Sequence, residues 1–507
     1  MRTLWIFEDQ LSLELSTLRK FPNAPVLMIE SAFAFKMLKY HKKRLVFLIA
    51  AMRHFRDELL AAGREVNYYP LRKKGYRDSI SAVGHYTRSV KETEPHRFEI
   101  VAPSEYHTKV WLDGLEKPLG IQIEYWPNEL FLTDRIEFSQ WARSLKSPVM
   151  ELFYRPMRVK HQVLMHAGKP VGGQWNLDKL NRKSPPASLL VPPPPSLKPD
   201  AITQEVMRDV DGWFADHPGS VEGFDYPVTR RDATRELEHF LDHRLAVFGD
   251  YEDAMVTGQG VLYHSRLSSA INAGLLSPMQ CVRGAERRWK DKAAPLNCVE
   301  GFIRQILGWR EYMYGIYWAF MPEYRNRNSR GDTQALPGFF WDGKTDMNCL
   351  HQTIGDLLKT GYSHHIQRLM VICNFATLAG LSPQAVNDWF VQMYIDSHDW
   401  VVTPNVIGMG MNADGGTCAT KPYVSSAAYI NRMSDYCKSC RYKHTKRTGE
   451  DACPFNFLYW TFLEKHRPAL SQNPRTVLMI RNLDRIDPGE LKQMKTLRSK
   501  LLKVIQY

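Results

Sequence analysis

Gly361-Tyr-Ser-His364-His365-Ile366-Gln367-Arg368-Leu369-Met370-Val-Ile-Cys373-Asn374 is the stretch that decides how the chain is read. Ile366, Leu369, Met370 and Cys373 recur at helical spacing, which predicts a mostly buried helix. His365 and Arg368 stand three residues apart and share one face of it. A buried arginine needs a carboxylate or a phosphate as partner. Two readings of this face are open: a structural salt bridge beside two helix-terminal histidines, or one wall of a functional pocket.

Outward from this helix, residues 229–460 are helical in pattern, with long segments at 298–313 and 382–394. The N-terminal part reads differently. Short apolar runs at 3–7, Val26–Ile29, Val66–Tyr69, 100–101 and Ile121–Trp126 alternate with helical segments. One helix over 42–63 places Leu45, Leu48, Met52, Phe55 and Leu59 on a stripe and stops at Gly63. This alternation predicts a parallel sheet with helices on both faces. The expected organisation is an α/β domain over 1–132, a connector over 133–228 and an all-helical domain over 229–507. The run 184–199 holds Pro185, Pro186 and Pro192 to Pro195, so it reads as an extended connector packed on the surface through Leu189, Leu190 and Val191. The basic end, 491–507, carries Met494, Leu497, Leu501 and Ile505 on one side. It reads as a helix docked on its own domain, or as a surface for DNA or membrane. Neither G-x-G-x-x-G nor G-x-x-x-x-G-K-[ST] occurs, so nothing supports those two nucleotide-binding loops.

The chain has 507 residues and a net charge of +13, which suits a polyanionic partner such as nucleic acid. No apolar run reaches the roughly 18 residues of a membrane span, and the start turns polar too soon for a signal peptide. A cytoplasmic protein is expected. All eight cysteines lie from Cys281 onward, unlike a secreted disulfide framework. Cys437-Lys-Ser-Cys440 is a C-x-x-C, followed by Cys453-Pro454 and preceded at a distance by Cys349. That set fits zinc or an iron–sulfur cluster equally well. Cys281, Cys298, Cys373 and Cys418 sit among apolar or small residues and read as buried thiols.

Together these pieces resemble a known family. His264-Ser265-Arg266-Leu267-Ser268, at a helix start, is similar to the flavin phosphate-binding segment of photolyases and cryptochromes. Gln305-Ile-Leu-Gly-Trp309-Arg310-Glu311-Tyr312 resembles their Trp-Arg-Glu stretch, and His364-His365-x-x-Arg368 their flavin and lesion helix. The resemblance is nearest to the iron–sulfur bacterial cryptochromes and photolyases, the prokaryotic (6-4) photolyases. It rests on the run from Val299 to Tyr312, Gly173-Gln-Trp-Asn176, Pro404-Asn-Val-Ile-Gly-Met409, Tyr429-Ile-Asn-Arg-Met-Ser-Asp-Tyr-Cys437 and the four cysteines. It spans nearly the whole chain.

The resemblance implies the photolyase/cryptochrome fold, with a Rossmann-like first domain. It implies light-driven repair of pyrimidine (6-4) pyrimidone photoproducts by electron transfer from reduced FAD to a lesion flipped out of UV-damaged DNA. It assigns FAD binding to His264, Ser265, Leu267, Ser268, Gln305, Arg310, Arg368 and Asp396, with Arg368 and Asp396 paired beside the ring system. His365 is the expected proton donor, where a cyclobutane-dimer photolyase tends to have Asn, and His364 its helper. Tyr423, Tyr429 and Trp309 are expected around the lesion. Cys349, Cys437, Cys440 and Cys453 match [4Fe–4S] ligands. Trp389 and Trp341 match an electron relay, with Trp400 a third candidate, and Phe390 stands where a relative has Tyr. Leu369 replaces the second active-site histidine of animal and plant enzymes, and Val402 a polar residue near flavin N5. Asp9 and Gln10 match part of a pocket for 6,7-dimethyl-8-ribityllumazine, although the segment 30–40 departs from the family. Asp178 and Asp253 are candidates for Mg²⁺. DNA contacts are expected from Tyr154, Arg155, Arg158 and Lys160, with the basic run 441–447 as a second candidate. The resemblance further implies a monomer in a bacterial cytoplasm, without membrane partners. Competing expectations are a blue-light receptor with no repair, a cyclobutane-dimer photolyase, and a zinc-stabilised DNA-binding protein.

Overall fold

The computed structural model describes residues 2–71, 78–89, 95–186 and 188–505. Strands β1 (Arg2–Trp5), β2 (Val26–Ile29), β3 (Val66–Tyr69), β4 (His96–Val101) and β5 (Ile121–Trp126) form one parallel sheet in the order β3-β2-β1-β4-β5. Leu4 lies opposite Val26 and Glu99, which sets the register. Both faces are covered, as a parallel sheet requires. Leu4, Val26, Met28 and Val101 enter one core, with the helix Lys42–Ala61. Trp5, Leu27, Ile29, Phe98 and Ile100 enter the other, with Ala82, Val83, Tyr86 and Leu112.

The helix Lys42–Ala61 buries Leu45, Leu48, Met52, Phe55 and Leu59 as expected, and Gly63 takes φ +76° just past its end. It also buries Arg53, which donates to Glu30 at 2.8 Å and to Asp209 at 2.9 Å. β4 is longer than the expected 100–101. Its first half reads as polar, yet His96 is hydrogen-bonded to Thr3 at 2.8 Å and Glu99 accepts from the Trp126 indole at 2.7 Å. Polar residues paired inside a sheet hid the strand.

After the sheet, the described residues are helical apart from loops and a two-residue hairpin at Met165–His166 and Lys169–Pro170. In the proline-rich run, Leu189 and Val191 pack against Ala254, Leu262 and Tyr263. Leu190 does not follow them: its side chain is 89% exposed, while its carbonyl accepts from the Tyr263 hydroxyl at 2.5 Å. The last helix, Pro488–Val504, buries Met494, and Arg498 donates to Leu378 O at 2.9 Å. It is docked on its own domain; residues 506–507 of the expected span lie outside the described residues.

Three helical stretches widen into π-helix, at Arg304–Arg310, Gln367–Cys373 and Pro404–Gly410. Wide turns of this kind cluster at functional sites. Here all three face one cavity. The third comes very close to its neighbours: a Cβ on Gly410 would stand 2.6 Å from Cys373 Sγ.

Candidate active site

The three wide turns and the helix Ser268–Asn272 enclose a cavity of ≈ 290 Å³. Arg368 enters it and meets Asp396 fork to fork, Nη1 to Oδ1 and Nη2 to Oδ2, both at 3.0 Å. Arg368 Nε is anchored on Ser363 O at 2.7 Å, and Ser268 Oγ donates to Asp396 Oδ2 at 2.6 Å. Burial disfavours the Asp396 charge, but Arg368 and the hydrogen bonds from Arg368 and Ser268 outweigh it and hold the carboxyl below its usual range. The Arg368 guanidinium also lies 4.1 Å from the Tyr394 ring centroid.

His264, Ser265, Ser268, Gln305, Trp309, Arg310 and Trp400 line the same cavity. Leu267 does not; its side chain is buried in the core. Arg310 donates to Glu311 at 2.6 Å and lies 5.1 Å from the Trp400 ring. His264 has a second engagement that the sequence did not suggest. Its ring stacks on His364, centroids 4.5 Å apart at 9°. His364 is buried, and neither of its ring nitrogens has a hydrogen-bond partner among the described residues. Burial first, and then neighbouring positive charge, keeps both rings neutral, with His264 pushed down to about 3.

A second cavity of ≈ 600 Å³ abuts the first, and His365, Trp309, Gln305 and Leu369 belong to the walls of both. Its other walls include Tyr423, Tyr429, Asp178, Asp253, Arg182, Lys421 and Arg475. His365 is exposed to this space. Desolvation by the surrounding protein, followed by Arg368 and Arg182, lowers its pKa to about 4. Tyr429 donates to Asp253 at 3.2 Å.

Asp178 accepts from Arg182 and from Arg304, each at 2.9 Å, and Asp253 lies 3.6 Å from Arg182. Both carboxylates proposed for Mg²⁺ are thus faced by guanidinium groups. Among the described residues, no group of three or more His, Cys, Asp and Glu side chains is gathered as around a single metal ion.

The expected DNA-contact run is corrected at two positions. Arg158 is buried and donates to Trp175 O at 2.7 Å and Leu164 O at 2.6 Å; Tyr154 is buried and donates to Glu300 at 3.1 Å. Both hold the fold together. Arg155 pairs with Glu151 and Lys160 with Glu137. In the 441–447 run, Arg441 pairs with Asp346, Lys446 with Asp451 and Arg447 with Glu490. Arg182, Lys421 and Arg475 border the larger cavity together with Arg304, and sequence reading missed them. The nearest signal was Lys421, two residues before Tyr423.

Trp389 is buried and donates to Phe340 O at 3.0 Å. Its ring is 5.3 Å from Phe390, which lines the first cavity, and 5.0 Å from Phe340. Trp341, next in the chain, is 43% exposed. Tyr394, also missed, stacks on Phe390 at 5.0 Å and 17°. Rings therefore run from Phe390 on the cavity wall through Trp389 to Phe340, whose neighbour in the chain is the exposed Trp341. Val402 lines the cavity too.

Cys349, Cys437, Cys440 and Cys453 line one small pocket with Met347, Ile430, Tyr436 and Phe455. Burial first, then repulsion from neighbouring thiolates, pushes up the pKa of Cys349, that of Cys437 to about 11 and that of Cys453 to about 12. Cys281, Cys298, Cys373 and Cys418 are buried as expected.

Asp9 and Gln10 line a third cavity of ≈ 460 Å³, to which the segment 30–40 contributes Ala34, Phe35, Met37, Leu38 and Tyr40. Ser104 donates to Asp9, and Gln10 donates to Val101 O at 2.9 Å. Burial, and then Asp9, raises the Glu8 carboxyl to about 7.

A family model described as "Deoxyribodipyrimidine photo-lyase-related protein" matches residues 4–226. A "(6-4) photolyase" of Agrobacterium fabrum is 44% identical over 472 residues, 93% of each chain. The chain belongs to the (6-4) photolyase family. Solved structures agree on the photolyase/cryptochrome architecture. A bacterial class III photolyase from Agrobacterium tumefaciens aligns with TM-score 0.54 at 16% identity, covering 99% of this chain and 98% of that one. A Synechocystis cryptochrome aligns with TM-score 0.59 at 13% identity, covering 100% and 99%. At those identities the likeness concerns the fold alone. Membership makes the chain a light-dependent DNA lyase of a flavoprotein family.

Proposed function

We propose that this chain repairs pyrimidine (6-4) pyrimidone photoproducts in UV-damaged DNA, with reduced FAD in the ≈ 290 Å³ cavity and the flipped lesion in the ≈ 600 Å³ one. The carrying observation is His365 on the wall the two cavities share. Bound FAD supplies the light-absorbing electron donor. Arg368 offers positive charge to an electron-rich flavin, and Asp396 fixes its orientation. His365 is the proton donor to the lesion. A DNA polyanion across the mouth adds negative charge near His365, which raises its affinity for a proton. Trp309 offers a stacking surface, and Tyr423 and Tyr429 hydroxyls at the far wall. Arg182, Lys421 and Arg475 take backbone phosphates. Electrons for photoreduction pass through Trp389 and Trp341, with Trp400 as a branch, because Phe390 has no hydroxyl proton to lose.

Four thiols in one largely apolar pocket would supply the four cysteine ligands of a [4Fe–4S] cluster, which the family resemblance favours over zinc. The third cavity fits a lumazine antenna, with Asp9 and Glu8 as acceptors for its N–H and ribityl hydroxyls. Mg²⁺ fits less well, because Arg182 already faces both Asp178 and Asp253. The same proposal divides the chain at 1–132, 133–228 and 229–507 and has it act as a monomer in a bacterial cytoplasm. No helix among the described residues is long and apolar enough to cross a membrane.

The test is repair of two oligonucleotides by photoreduced protein, one with a (6-4) lesion and one with a cyclobutane dimer, in blue light and in the dark. Light-dependent restoration of the (6-4) strand alone is expected. Repair of the dimer alone overturns the substrate. Repair of neither, by protein that holds FAD, points to a photoreceptor.

A further inference from the structure

His364 ends a loop, and His365 opens the helical segment that continues into Gln367–Cys373. A glutamine three residues beyond a capping residue can reach back to that residue's own backbone N–H. Gln367 does so: its Oε1 accepts from His364 N at 3.1 Å. Gln367 is fully buried, so the other end of its amide also needs a partner. Nε2 donates to the Tyr436 hydroxyl at 3.0 Å. Tyr436 is buried, precedes Cys437 and lines the four-cysteine pocket. Its carbonyl accepts from Asn348 Nδ2 at 2.9 Å, and Asn348 precedes Cys349. Two cysteine-bearing segments therefore hold one tyrosine, and that tyrosine holds the side chain that caps the helix of His365.

We infer that Gln367 and Tyr436 are positioning residues that fix His365 from the cysteine pocket. Neither lines either cavity of the site. The inference rests on the function proposed above and gives the four-cysteine site a part in it: to set the start of the histidine helix. Without the relay, the His364 N–H loses its acceptor and residues 363–366 loosen. Arg368 keeps its place, because Asp396, which lies outside that segment, holds it through two hydrogen bonds. Proton delivery and flavin binding should therefore separate.

Three variants of the holoprotein test this. Gln367→Met keeps length but makes neither hydrogen bond. Tyr436→Phe breaks only the outer one. Gln367→Glu still accepts from the His364 N–H and from a Tyr436 O–H. Amide hydrogen exchange over 361–368 is measured beside FAD and iron content, photoreduction rate and (6-4) repair. For Gln367→Met, exchange should rise and repair fall by about tenfold each, with FAD, iron and photoreduction within roughly twofold of wild type. Tyr436→Phe should change in the same direction by less, and Gln367→Glu should regain protection. Unchanged exchange in both Gln367→Met and Tyr436→Phe overturns the inference, as does faster exchange with full repair. If Gln367→Met does not fold, Tyr436→Phe decides. If wild-type protein repairs neither lesion, the proposed function fails, and exchange alone still decides the relay.

Discussion

Arg368 and Asp396 face each other through two parallel hydrogen bonds of 3.0 Å at the floor of the smaller cavity. Removing one partner of a buried ion pair leaves the other uncompensated. Asp396→Asn should therefore cost about 3 kcal/mol of stability and release FAD, read by thermal melting and by flavin absorbance after gel filtration. The sign with pH follows from the depressed carboxyl. Asp396 stabilises the fold above its ordinary value near 3.8, and that contribution is lost as pH falls through its lower folded value.

His365→Ala should abolish (6-4) repair while FAD content and photoreduction stay as in wild type. The paired assay is product chromatography and the flavin absorbance decay under blue light. Full repair by this variant would remove His365 from the proton step.

Trp389→Phe and Trp341→Phe should each slow photoreduction strongly, yet repair should persist once the flavin is reduced chemically. Loss of repair in the chemically reduced variants would show that these rings do more than pass electrons.

The rim cations should act through phosphate. Arg475→Ala is expected to weaken binding to damaged and undamaged DNA alike and to make the slope of log K against log salt shallower by about 1. An unchanged slope in a fluorescence titration would exclude Arg475 from the interface.

His41 should govern mild-acid stability. Its Nε2–H donates to Leu358 O at 2.9 Å, and its Nδ1 accepts the Lys43 N–H at 3.1 Å, capping the helix Lys42–Ala61. Burial pushes its pKa from 6.5 to about 4. The unfolded chain takes the proton first, so stability is full above pH 6.5 and is lost as pH falls towards 4, by roughly 3 kcal/mol from this residue. Asn also caps well, so His41→Asn should flatten denaturant midpoints across that range.

Much of this was legible in the chain. Strand positions at Val26–Ile29, Val66–Tyr69 and Ile121–Trp126 followed from apolar runs between turns, because a sheet covered on both faces writes itself as such runs. That Arg368 needs an anionic partner followed from a charge on an apolar helix, and Asp396 as that partner followed from the family resemblance. The rest depended on contacts that spacing does not encode. Arg158 and Lys421 are both cations within four residues of a tyrosine in the sequence, yet one is buried on backbone carbonyls and the other borders a cavity. The His264–His364 stack joins residues 100 positions apart. Arg182 between two carboxylates depends on a backbone at φ +73°, which no neighbouring glycine announces.

The wide turns at Arg304–Arg310, Gln367–Cys373 and Pro404–Gly410 make the chain unequally tolerant of gaps. Each holds more residues per turn than an α-helix, so deleting one residue would let the turn tighten to α and rotate the side chains inside it off the cavity they now line. A deletion at Val371 would do this in the turn that carries Arg368 and Leu369. The same deletion at exposed Leu190 would merely shorten a strap. Viable length variants of this chain should therefore collect in the proline-rich run and spare all three turns.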